Sequence, residues 1–180
     1  MGPEHKFPAA VDDCWAATRW VAAQASALKI DASRIAVGGD SAGGNLAAVI
    51  ALMARDVGFT AIKFQLLIYP VTELAERLPS RQTNGVGYLL TSRTMSWFVN
   101  HYVRNAEDHL DWRASPLLAE SVNGVAPAIV LTAGFDPLRD VLAVLQLPGE
   151  QPAGQLVQPL VEARGVGGDE KALRLRLLDD

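Results

Sequence analysis

Arg34-Ile35-Ala36-Val37-Gly38-Gly39-Asp40-Ser41-Ala42-Gly43-Gly44-Asn45-Leu46-Ala47 is the stretch on which the reading of the chain turns. Arg34 to Val37 is a short run with β-branched residues and predicts a strand. From Ala42 to about Arg55 small and aliphatic residues predict a helix. The G-x-S-x-G segment Gly39 to Gly43 therefore falls where a strand turns into a helix. So tight a turn admits only small residues beside the serine, and it leaves the hydroxyl at a helix N-terminus. The unpaired N–H groups and the helix dipole there favour a developing negative charge. Ser41 is the candidate nucleophile, and Gly39, Asp40, Gly43 and Gly44 shape its turn. An ordinary strand–helix turn is the competing reading of the same residues.

Working outward, Asp31-Ala32-Ser33 predicts a turn, and residues from about Ala9 to Ala27 predict a helix. In that helix Val11, Trp15, Thr18 and Ala25 share a face, and Asp12 and Asp13 sit in the first turn. Cys14 lies on the apolar side and reads as core. Ala61 to Val71 predicts a second strand, nearly all apolar from Phe64 and ended by Pro70. Such a run suits a parallel strand covered on both faces. Thr72 to Tyr88 is loop-like, with Glu73, Glu76 and Arg77 as a solvated face. Thr91 is the expected N-cap of a helix carrying Met95, Trp97, Phe98, Val99 and Tyr102, which read as core or cap packing. Asn105 to Asn123 forms a polar connection. A third strand, Ala128 to Ala133, closes at Gly134 and is followed by Phe135-Asp136-Pro137-Leu138-Arg139-Asp140.

Strand, helix, strand, helix, strand is an α/β pattern with a parallel sheet and right-handed crossovers. Functional loops in such sheets follow the C-terminal ends of strands, where Ser41 and Asp136 both fall. Asp136 also has a plainer reading, as the cap of a turn before Pro137. After Asp140 the composition changes. Residues 141–180 hold no aromatic, Ser, Thr, Asn, Ile, His or Met. The expected division is a domain over 1–140 and a divergent tail over 141–180, with no strand and at most a short helix from Asp169 to Leu178.

With 49 % hydrophobic and 20 % charged residues in 180, the chain is a globular protein with one core. A net charge of −4 and a pI near 5.4 give no basic footprint for nucleic acid. No apolar run reaches a membrane-spanning length, and no signal segment is visible at the N-terminus, so a cytoplasmic address without membrane attachment is expected. A single cysteine excludes an internal disulfide and a cysteine-rich metal site.

Four stretches together resemble the hormone-sensitive-lipase-like esterases of the α/β-hydrolase superfamily. They are Pro3-Glu4-His5-Lys6-Phe7-Pro8-Ala9-Ala10-Val11-Asp12-Asp13, the GDSAGG elbow, Tyr88-Leu89-Leu90-Thr91, and Gly134-Phe135-Asp136-Pro137-Leu138-Arg139-Asp140. The resemblance implies a partial α/β-hydrolase fold, a parallel sheet core with flanking helices. It implies a carboxylesterase or lipase type of serine hydrolase, acting on small-molecule carboxylic esters through an acyl-enzyme, with no metal or organic cofactor. Ser41 would be the nucleophile, Asp136 the acid that orients a histidine, and Ala42 N–H one oxyanion-hole donor; His5 matches a structural histidine. Two family features are missing. The H-G-G-G segment would precede Pro3, where only two residues stand, and no histidine follows His109. His101 and His109 read as solvated surface rather than as a general base. Impaired turnover is therefore expected, along with self-association through the unpaired outer strands of a three-stranded sheet. The alternatives are a non-catalytic ligand-binding or interaction module, or a non-functional gene fragment.

Overall fold

A computed structural model describes residues 2–75 and 78–140, together with the backbone of a strand at 158–163. The elements are α1 (Ala9–Ala23), α2 (Ala25–Leu28), β1 (Ile35–Asp40), α3 (Ala42–Asp56), β2 (Ile62–Ile68), α4 (Pro79–Thr83), α5 (Ser92–Tyr102), β3 (Ala128–Ala133) and β4 (Gln158–Ala163). Two 3-10 turns, Glu107–Leu110 and Pro116–Leu118, lie between α5 and β3. The strands form one parallel sheet in the order β1-β2-β3-β4. Asp40 pairs with Ile68, and Ile68 with Leu131, so the first three strands end at one level. That levels the loops carrying Ser41 and Asp136.

The expected helix start at Thr91 is present: its side chain accepts a hydrogen bond from Thr94 N–H. Strand β1 is longer than expected and runs up to the residue before Ser41. The helix expected from Ala9 to Ala27 breaks at Gln24 into α1 and α2. Short helix α4 falls in the stretch expected to be a loop; Pro79 opens its first turn, the one helical place where a missing N–H costs nothing.

Helix α3 packs on one face of the sheet. Ala47 meets Leu67 and Val130, with Val37 and Ala48 alongside. Further along the same helix Ile50 and Ala54 meet Ile62, Trp15 and Phe59. A second cluster joins Phe7 and Val11 to Val49, Leu74, Val103 and Ala114. Phe7 is 1 % exposed, with Tyr102 edge-on and the guanidinium groups of Arg104 and Arg113 each 5.7 Å from its ring centre. Lys6 Nζ donates to the carbonyls of Asn100 and Val103 at the end of α5, where a cation is favoured. These contacts pin the N-terminal segment to the C-terminal end of α5.

Several expectations are corrected. The opposite sheet face leaves Ala36, Gly38 and Leu66 exposed, so β2 is not covered on both faces among the described residues. An apolar run shows that a face suits burial; the cover must come from another element. Cys14 is half-buried rather than core, and burial raises its thiol pKa. Trp97 and Phe98 are more than half exposed and pack edge to face on one another, whereas Met95 is buried. Glu73 is buried, its Oε1 accepting from Ala75 N–H, and is not part of a solvated face; Glu76 and Arg77 lie outside the described residues. The tail, expected to hold no strand, contributes β4, which pairs with β3. Pro159 hid it. A proline reads as a strand breaker, yet an outermost strand tolerates one because one side of its backbone makes no ladder bonds. The outer edge of β3 is therefore paired, and the sheet has four described strands, not three; the outer edge of β1 has no strand beside it among the described residues. The short helix expected from Asp169 to Leu178 lies outside the described residues.

Candidate active site

Ser41 is the single residue between β1 and α3, at φ 52°, ψ −117°. A residue with a Cβ is strained there, by roughly 1–3 kcal/mol. Five hydrogen bonds hold and brace the turn. Ser41 N–H donates to Ile68 O (2.9 Å), and Ser41 O accepts from Val71 N–H (3.2 Å) and Asn45 N–H (3.1 Å). The Asn45 side chain then donates to Val71 O at 2.6 Å and also to Ala114 O at 2.8 Å. Asn45 is 5 % exposed and ties α3 to both flanking loops. Nothing in the sequence marked it beyond its place after the glycines.

The glycines differ in what they do. A Cβ on Gly39 would lie 2.5 Å from the carbonyl carbon of Gly43, and one on Gly44 2.9 Å from Pro70 Cβ. Neither fits. A Cβ on Gly43 would meet nothing within 4 Å. Gly39 and Gly44 thus let β1 approach α3 and α3 approach the end of β2, while Gly43 keeps open the space beside Ser41. The first intrahelical bond of α3 is Asn45 N–H to Ser41 O, which leaves the N–H groups of Ala42, Gly43 and Gly44 ahead of the helix ladder. The Ser41 hydroxyl does not cap the helix. Ser41 is half-buried, and Asp40 and Ala42 are exposed.

Asp136 lies three residues past β3. Its Oδ1 accepts from Leu138 N–H at 2.7 Å, so it does cap the turn before Pro137. Burial nevertheless raises its carboxyl pKa, and that hydrogen bond only partly opposes the rise. The loop is anchored from α4 and its C-cap. Asn84 Nδ2 donates to Asp136 O (3.1 Å), and Ser80 Oγ donates to Pro137 O (2.7 Å). Asp140 Oδ2 accepts from Ser80 N–H (2.7 Å). Ser80 is fully buried. Sequence reading missed Ser80 and Asn84 because the segment was read as loop. Phe135 stacks on Tyr88 with ring centres 5.5 Å apart, and both rings are partly exposed.

The structure gathers Gly39, Asp40, Ser41, Ala42, Gly43 and Gly44 into one turn, and sets Asp136 beyond the strand two places along the sheet. Two strand spacings amount to roughly 10 Å between β1 and β3. No hydrogen bond joins Ser41 to Asp136 or to a histidine among the described residues. His101 Nδ1 contacts Trp97 O (2.7 Å) within α5, and His109 Nδ1 contacts Leu74 O (3.3 Å). His5 is exposed. Among the described residues no three metal-ligating side chains gather, and no helix is long and apolar enough to cross a membrane.

Residues 1–146 match a protein family described as alpha/beta hydrolase fold. The carboxylic ester hydrolase LipN of Mycobacterium tuberculosis is 48 % identical over 149 residues, covering 78 % of this chain and 39 % of that protein. The ethyl acetate hydrolase of Pseudomonas putida is 46 % identical over 141 residues, covering 78 % of this chain and 44 % of that protein. Among solved structures, an esterase of Pyrobaculum calidifontis superposes with a TM-score of 0.76 at 46 % identity, over 78 % of this chain and 47 % of that one. EstE1, a thermostable carboxylesterase from a metagenomic library, gives 0.77 at 46 % identity, over 80 % and 50 %. The chain thus spans well under half the length of these curated relatives.

Proposed function

Because the chain belongs to the family described as alpha/beta hydrolase fold, we propose that it is the nucleophile-bearing part of a carboxylic ester hydrolase. The observation that supports this most is the backbone of Ser41: a serine at φ 52° between a strand and a helix, in a turn framed by two glycines that sterics demand. In the proposed reaction Ser41 Oγ attacks the ester carbonyl as a general base takes its proton. Ala42 N–H, at the start of α3, donates to the oxyanion. The alcohol leaves, and water then releases the acid from the acyl-enzyme. Asp136 would orient a histidine base. That histidine is absent from positions 137–180 of this sequence. The proposal therefore assigns the chain a reactive serine and a slow turnover, with small-molecule esters as substrates. Residues 1–140 would form the hydrolase unit, with 141–180 as a separate tail despite the strand it lends to the sheet.

Two assays test this. A fluorophosphonate probe should label Ser41 and fail to label Ser41→Ala. Hydrolysis of p-nitrophenyl butyrate should be slow, and lower still in Ser41→Ala. No labelling of a folded chain would refute the reactive serine and favour the non-catalytic module. Turnover matching a complete serine esterase, lost in Ser41→Ala, would refute the slow-turnover part.

A further inference from the structure

Ser41 O and Ala42 N–H belong to one peptide unit, and that unit is planar and rigid. Whatever holds Ser41 O therefore aims Ala42 N–H, the oxyanion donor of the proposed reaction. Two donors hold it, Asn45 N–H at 3.1 Å and Val71 N–H at 3.2 Å. Asn45 arrives with the first turn of α3. Val71 belongs to the loop after β2 and needs an anchor of its own. A second loop, residues 109–117, supplies it. Asn45 Nδ2 donates to Val71 O at 2.6 Å and to Ala114 O at 2.8 Å, so one amide clips the two loops together. Thr72 O accepts from Leu117 N–H at 2.9 Å. Ser115 Oγ accepts from Leu74 N–H at 3.0 Å and donates to His109 O at 2.8 Å.

Asn45 is 5 % exposed and Ser115 fully buried. Both hydrogens of Asn45 Nδ2 and the one hydroxyl hydrogen of Ser115 are spent on backbone carbonyls, so neither side chain is free to donate to a substrate. What they control is where Val71 sits. Removing either leaves buried backbone groups unpaired and frees the 71–74 loop to shift. A shift of Val71 releases one of the two donors on Ser41 O, and the 41–42 peptide then turns. We infer that Asn45 and Ser115 are positioning residues for the oxyanion donor: gripping the 71–74 loop from two sides, they fix Ser41 O and thereby aim Ala42 N–H. This rests on the roles proposed above for Ser41 and Ala42.

The test is labelling of the full chain by an ethyl fluorophosphonate over a range of probe concentrations, which separates probe binding from the rate at saturation. In that step Ser41 Oγ bonds to phosphorus, fluoride leaves and the hydroxyl proton passes to water, while the phosphoryl oxygen stands where the ester oxyanion would. Asn45→Ala should slow the saturated rate about a hundredfold, the cost of a displacement near 1 Å. Ser115→Ala should slow it about tenfold, the value of one hydrogen bond. Probe binding should be unchanged in both. The double variant should be no slower than Asn45→Ala, because both residues act along one path. Thr18→Ala, which removes a hydroxyl bonded to Cys14 O within α1, should label at the parent rate. Circular dichroism confirms that each variant is folded, and Ser115→Ala carries the test if Asn45→Ala is not. A folded Asn45→Ala or Ser115→Ala that labels at the parent rate, a loss confined to probe binding, or full additivity in the double variant would overturn the inference. A parent chain that never labels would refute the reactive serine instead. NMR of the Ala42 backbone amide then decides the positioning role: its resonance should move in both variants, and an unmoved one would overturn it.

Discussion

Replacing Gly39, Gly43 and Gly44 singly by alanine separates sterics from motif. On Gly39 the new methyl would sit 2.5, 2.7 and 2.9 Å from the carbonyl carbon, oxygen and Cα of Gly43. All three are backbone atoms in the first turn of α3, so no rotamer relieves them. Carbon atoms rest about 3.5–4.0 Å apart, so the overlap is close to 1 Å. Overpacking typically costs about 1–3 kcal/mol, and an overlap against backbone belongs at the upper end. For a chain of this size about 1 kcal/mol moves Tm by about 2–4 °C, so Gly39→Ala should lose about 6–12 °C. Gly44→Ala meets Pro70 and Gly39 O at 2.9–3.1 Å and should lose less. Gly43→Ala meets nothing, and Gly43 is helical. It should gain about 0.4–1 kcal/mol, mostly because the unfolded chain loses freedom. The assay is thermal unfolding by far-UV circular dichroism, run side by side at one concentration. A Gly39→Ala as stable as the parent, or a Gly43→Ala as damaged as Gly39→Ala, would refute the packing account.

Asn45→Ala removes two donors and strands the carbonyls of Val71 and Ala114; the urea midpoint should fall by the equivalent of about 2–4 kcal/mol at unchanged slope, and an unmoved midpoint would contradict the bracing role. Asp136 has a raised carboxyl pKa when folded, so its share of stability is full below the ordinary Asp range and declines as pH rises through the folded value. Asp136→Asn keeps the turn acceptor and should therefore stabilise the chain at neutral pH and be nearly silent at low pH; the same effect at both would show that burial does not raise the acid. Asp108 is the opposite case. Hydrogen bonds from Arg104, at 2.7 and 3.0 Å, hold its carboxyl down to about 2, against the cost of burial. Its contribution is present above the ordinary Asp pKa and is lost as pH falls toward 2, so Asp108→Asn should flatten the acid limb of a stability–pH curve between about pH 4 and that value.

The elements legible from residues alone are those whose signal is local. β3 has the predicted ends at Ala128 and Ala133, flanked by Pro127 and Gly134. Helix α5 begins where Thr91 said it would, because an N-cap is a contact between residues three apart. The illegible parts depend on distant partners. Asn45 matters only because Val71 and Ala114 arrive beside it from 26 and 69 residues away. Glu73 looked like surface because a charged residue in a polar stretch usually is, and only the tertiary packing buries it. Pro159 argued against a strand that the edge of the sheet accepts. At the elbow the motif located Ser41 correctly in a turn, but treated its glycines alike; the close approach of β1 to α3 separates Gly39 from Gly43.

The strain at Ser41 can itself be measured, and it bears on whether the elbow forms without help from any other catalytic group. The bonds that hold φ at 52° come from Ile68, Val71 and Asn45, with Ala114 bracing Asn45. None involves a histidine or the Ser41 hydroxyl. The geometry is therefore a property of local packing and should form whether or not a base stands beside Ser41. Ser41→Ala and Ser41→Gly both delete the hydroxyl, and they differ only in the Cβ that makes this backbone region costly. At an ordinary helical position glycine is less stable than alanine by roughly 0.5–1 kcal/mol. Here relief of about 1–3 kcal/mol of strain opposes that entropy term, so Ser41→Gly should equal or exceed Ser41→Ala by up to about 2 kcal/mol. Urea unfolding of the pair reads the difference directly. An alanine variant more stable than the glycine variant by the usual margin would mean that the backbone at position 41 is relaxed, and the elbow would lose the strain that sets it apart from an ordinary strand–helix turn.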